Sequence, residues 1–93
     1  MTTLPLEKPV QQQKIYDAYK VLLHNDDHND MFHVVQSISK AVPQRTQQEA
    51  IAIMEEAHTQ GVAIVITAPL EYAEMYVDRL RSFGLVSTLE KDV

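Results

Sequence analysis

Cysteine is missing from this 93-residue chain, which excludes a disulfide framework and a thiolate metal site and suits a reduced, cytoplasmic setting. Glycine occurs only at Gly61 and Gly84, so there is no glycine-rich loop to cradle a phosphate. No serine lies in a nucleophile-elbow pattern either. Lys and Arg number 8 against 13 Asp and Glu, leaving a formal charge of -5, whereas a nucleic-acid surface needs clustered cations to meet the phosphates. The longest apolar run, Val62 to Thr67, falls far short of the roughly 20 residues a membrane span requires. The N-terminus lacks the basic and apolar regions of a secretory signal. These absences speak against an enzyme, a nucleic-acid binder and a membrane protein, and a cationic ligand suits the acidic balance better.

The 45% hydrophobic content over 93 residues fits one domain with a single core and no roomy catalytic cleft. Residues 1–17 hold two prolines, three consecutive glutamines and little apolar periodicity, which predicts a flexible N-terminal extension ahead of a domain over 18–93. Tyr19 to Leu23 reads as a short buried strand that stops at a dense polar cluster. Asn25, Asp26 and Asp27 favour tight turns, and Asn29 is placed to cap the helix that follows. Met31 to Val42 carries Val34, Val35, Ile38 and Val42 at helical spacing before Pro43. Thr46 and Glu49 form a capping box for a second helix, with Ala50, Ile53, Met54 and Ala57 on one face, His58 as the last large side chain there, and Gly61 closing it.

Val62 to Thr67 is apolar and β-branched, as expected of a central strand covered by helices. Pro69 suits the first position of a third helix, in which Tyr72, Met75, Tyr76, Arg79, Leu80 and Phe83 keep helical spacing until Gly84. Leu85 to Leu89 reads as a last strand, and Glu90 to Val93 as an exposed tail. The order β-α-α-β-α-β predicts a two-layer α/β domain, with three strands and the helices on one face.

Three chemistries suit the polar cluster. His58 and Asp27 could form an acid/base pair, although no nucleophile or cofactor site accompanies them. His24, Asp26, Asp27, His28, Asp30 and His33 could hold a metal, but a turn separates His24 from His28, and the glycine and late glutamate of a calcium loop are lacking. The third is a small cation. A primary ammonium has three donors and one charge, so it asks for about three converging acceptors, one of them anionic. Asn25, Asp27 and a neutral His58 meet that demand. The same residues can also be read as turn formers and a histidine at a helix C-terminus, and spacing alone does not choose among these readings.

The run Tyr19-Lys20-Val21-Leu22-Leu23-His24-Asn25-Asp26-Asp27, followed by Met31, Val34-Val35, Glu56-Ala57-His58-Thr59-Gln60-Gly61 and Ser87-Thr88-Leu89-Glu90, resembles the ClpS family of adaptors for Clp AAA+ proteases. The resemblance implies an antiparallel three-stranded sheet and no cofactor. It also implies binding of N-degrons, the exposed bulky N-terminal residues of substrates such as Leu, Phe, Tyr or Trp. It places Asn25, Asp27 and His58 at the α-amine with Asp26 beside them, and Met31 as a gatekeeper against β-branched residues. Asn29, Val34, Met54, Ala57 and Leu85 fall on the hydrophobic pocket. The implied partner is a Clp ATPase of the ClpA or ClpC type, engaged through its N-terminal domain by a monomer. Glu71 and Tyr76 fall on the docking surface, and the N-terminal extension acts as an arm in transfer. The sequence departs from the family's usual pattern at His28, Asp30, Phe32, His33 and Ala57, and at Tyr76, where a lysine is common.

Overall fold

A computed structural model describes residues 17–93; the extension expected over 1–17 lies outside them apart from Asp17. Strand β1 (Ala18–His24) turns Val21 and Leu23 into the core and leaves Lys20, Leu22 and His24 on the opposite face, the two-residue alternation of a half-covered strand. It occupies the middle of the sheet, between β2 (Val62–Pro69) and β3 (Val86–Asp92), and pairs antiparallel with both. The apolar run of β2 therefore marks an edge strand rather than the expected central one. Only Ala63 and Val65 of its first half are buried, while Val62 and Ile64 face solvent, because the helices cover a single face. The register between β1 and β2 shifts between Val21 and Leu22, passing over Val65, whose carbonyl accepts the Arg45 Nε–H at 2.8 Å.

Helix α1 (Met31–Ala41) starts from Asp30, whose carboxylate accepts the His33 N–H at 2.8 Å. The cap thus falls one residue after the expected Asn29, which is engaged elsewhere. Helix α2 (Gln47–Gln60) has the Thr46–Glu49 capping box and closes at Gly61, which adopts φ +93°. That left-handed turn suits a residue without a Cβ. Helix α3 (Leu70–Ser82) takes Pro69 as its N-cap, so the helix starts one residue later than expected. Its buried stripe is Ala73, Tyr76, Val77 and Leu80, with Tyr72 exposed; the small Ala73 allows a close approach to the sheet that a ring would prevent. Strand β3 runs past Leu89, so Glu90 to Asp92, expected as a tail, are paired backbone with exposed side chains. Lys20–Asp92 at 3.9 Å and Lys91–Asp17 at 3.2 Å flank this end.

The observed order is β-α-α-β-α-β, an α+β domain with an antiparallel three-stranded sheet beneath three helices. Its core gathers Val21, Leu23, Ile38, Val42, Val65 and Leu80. Ser87 Oγ–H donates to the Leu22 carbonyl at 2.7 Å, and Arg81 Nε–H donates to the Ser87 carbonyl at 2.9 Å, joining α3 to the sheet.

Candidate functional site

The polar corner is fixed at both ends. Where β1 stops, the Asn25 N–H donates to the Gly61 carbonyl at 3.0 Å, and Gly61 is itself tied back into α2 through its N–H to the Ala57 carbonyl at 2.9 Å. This link brings the strand end beside the last turn of α2, the turn that carries His58. Asn25, Asp27 and His58 consequently line one cleft of about 360 Å³. The three side chains are exposed at its rim, while Leu23, Met54 and Ala57 are buried and Val34 is half-buried. Met31 and Asn29 complete much of the wall. A rim of acceptors over an apolar floor suits a ligand with one cationic end and one greasy end.

Asp26 braces the corner from within. Its carboxylate accepts the His28 N–H at 2.8 Å and the Asn29 N–H at 2.9 Å. The Asn29 side-chain amide reaches both carboxylate oxygens at 3.3 Å and donates to the Gly84 carbonyl at 3.0 Å. Partial desolvation pushes the carboxyl upward, but the amides of Asn29 and His28, the Asn29 side chain and the His28 imidazole outweigh it, holding Asp26 below its ordinary 3.8. A carboxyl lowered in the folded state contributes stability that is present above the unfolded-state value and is lost as pH falls through the folded one. Asp26→Ala should therefore lower stability at neutral pH and flatten the acid limb of a denaturation series below about pH 4. An acid limb with the wild-type slope would remove this brace.

Two further residues of the pattern take structural places. Leu85, expected on the hydrophobic pocket, is 4% exposed within the core and does not line the cleft. Tyr76, expected on a docking surface, is 7% exposed because it belongs to the buried stripe of α3. Its hydroxyl accepts from Gln44 Nε2, and the Arg79 guanidinium lies 5.9 Å from the ring centroid. Glu71 is exposed in the first turn of the same helix. The histidines proposed as metal ligands diverge: His24 Nε2 meets Thr88 Oγ1 at 2.7 Å, and His33 Nε2 donates to the Phe83 carbonyl at 2.8 Å. Among the described residues no three His, Asp or Glu side chains gather as a metal site. Leu23, His24 and Asp30 also line the cleft; Leu23 was legible only as core, though its place at the strand's end puts it under the corner.

Comparison with known proteins matches residues 14–88 to the family described as ATP-dependent Clp protease adaptor protein ClpS. The chain is 46% identical over 94 residues to the ATP-dependent Clp protease adapter protein ClpS of Synechococcus elongatus, covering 99% of each. It is 42% identical over 80 residues to the chloroplastic adapter CLPS1 of Arabidopsis thaliana, covering 86% of this chain and 50% of that one. In fold it is similar to Agrobacterium tumefaciens ClpS2 bound to L-phenylalaninamide, with a TM-score of 0.77 at 24% identity, covering 82% of this chain and 98% of that one.

Proposed function

The chain belongs to the ClpS family of Clp protease adaptors, proteins that are not enzymes, and from this we propose that it binds substrates by a free α-amine and a bulky first side chain. The observation that carries the reading is the Asn25–Gly61 bond, since it gathers Asn25, Asp27 and His58 around one apolar-floored cleft. Asp27 supplies the countercharge, the Asn25 side-chain carbonyl a neutral acceptor, and an unprotonated imidazole nitrogen of His58 the third. The side chain of Leu, Phe, Tyr or Trp then lies over Val34, Met54 and Ala57. Met31, at the wall and 49% exposed, crowds the branch point of Ile and Val. L-phenylalaninamide, the ligand of the similar ClpS2 structure, carries the two features this cleft answers, an amine and a bulky apolar group.

Burial of a Leu or Phe side chain contributes about 1.5–3 kcal/mol, and a hydrogen bond to a charged group roughly 1.5–3 kcal/mol. After ordering losses the sum corresponds to micromolar affinity, about -8 kcal/mol. An internal residue presents one amide donor and no charge, so it strands acceptors at roughly 1–3 kcal/mol each and is ignored. Delivery follows through a Clp ATPase of the ClpA or ClpC type, with Glu71 on the docking face and residues 1–17 as the arm that assists transfer.

The test is calorimetry with peptides beginning Leu, Phe, Tyr, Trp or Ile, each with a free and an acetylated amine. The expected result is micromolar heat for the first four, weak binding for Ile, and loss of binding on acetylation. Acetylated peptides that bind equally well, or heat that appears only with added zinc, would overturn this reading.

A further inference from the structure

Beside the amine cleft runs a second concavity that the proposed chemistry leaves unused. It is a groove of about 530 Å³ between α1 and α2, walled by Met31, Phe32 and Val35 on one side and by Ile51 and Met54 on the other. Phe32 is 73% exposed, Met31 49% and Ile51 36%, an apolar strip that folding alone would not leave in water. Met31 and Met54 line both the groove and the cleft, so the two adjoin across these side chains.

We propose that this groove holds the substrate's second to about fourth residues and favours apolar side chains there, an assignment that rests on the amine-cleft reading above. A residue seated with its amine at Asn25, Asp27 and His58 must send its carbonyl end out past the wall. Elsewhere the cleft is lined by the polar residues of the corner, Asn25, Asp26 and Asp27, which offer apolar side chains no such surface. The groove leads away from the shared Met31 towards Lys40, a run of about 14 Å along the helix axis, or about four residues of extended peptide. The unbranched thioethers of Met31 and Met54, at the junction, adapt to side chains of different shape, so the groove grades substrates without demanding one sequence.

The experiment titrates the full chain with free-amine peptides that begin Leu and differ at positions two to four, Val-Phe-Leu in one and Ser-Gly-Ser in the other. An N-acetyl form of the first serves as control. The apolar tail is expected to bind about tenfold more tightly. Phe32→Gln together with Ile51→Gln removes that advantage and leaves the affinity for the polar-tailed peptide unchanged. Equal affinities for the two tails, or an advantage that survives the double substitution, would overturn the assignment. If acetylation abolishes binding while the tails are equal, the groove alone fails; if acetylation changes nothing, the amine cleft fails first. Self-association of the free chain that the double substitution abolishes would give the groove to a second copy and also overturn the assignment.

Discussion

Asp27→Ala and His58→Ala should each weaken binding of a free-amine Leu or Phe peptide by about 100-fold or more, with no loss of folded structure. The expected size follows from the state left behind. Without Asp27 the ammonium keeps its charge and loses the countercharge, and without His58 one of its three donors loses its acceptor. Stranding a charged group in this way removes about 3 kcal/mol, which at 1.4 kcal/mol per factor of ten is about two orders of magnitude. Both side chains are exposed at the rim, so neither substitution opens the core, and thermal melts should coincide with wild type. His58→Asn, which retains an acceptor, should recover part of the affinity. Unchanged calorimetric affinity in either alanine variant would remove the mechanism.

Leu23→Ala should have the largest effect on stability, about 2–5 kcal/mol from a total that for a domain of this kind is about 5–15 kcal/mol. Leu23 is among the most buried side chains and also lines the underside of the cleft. Its cross-strand partners are Ala63 and Ser87, both too small to collapse into the space left behind, so the cavity term is kept rather than relaxed. Leu23→Met conserves volume and should lose less than about 1.5 kcal/mol. Urea denaturation checks the pair; a loss below about 1 kcal/mol for Leu23→Ala would mean that the cleft floor can close over the gap.

The elements were legible wherever a local signal decides them. The Thr46–Glu49 capping box, the left-handed Gly61 and the strand that ends at the polar corner all stand where the residues point. What escaped depends on neighbours. The apolar run of Val62 to Thr67 says that side chains avoid water, not how many faces of the strand are covered, so its edge position emerges only with the sheet assembled. On α3 the periodic pattern allowed more than one stripe, and Ala73, too small to stand out, decides which one packs. The cap at Asp30 in place of Asn29 follows from the third-dimension demand of Asp26 and Gly84 on the Asn29 side chain. For the site, residue types could name an ammonium reader and spacing spoke against a metal cluster, but neither could separate the reader from plain turn formers and a histidine at a helix end. The distinction lies in the Asn25–Gly61 bond and in the separate partners of His24 and His33, contacts between residues far apart along the chain.

The position of β1 between two antiparallel neighbours has a mechanical side. At one end His24 pairs with Val62 and Val86 beneath the cleft; at the other Ala18 pairs with Pro69 and Asp92, about 20 Å away. Traction on the chain ahead of Asp17 would enter at that far end and run along the strand. Antiparallel hydrogen bonds lie across this direction, so such a pull loads both ladders together instead of peeling them one bond at a time. A pull on this segment therefore has to shear both ladders of β1 before it reaches the end that lies under the cleft.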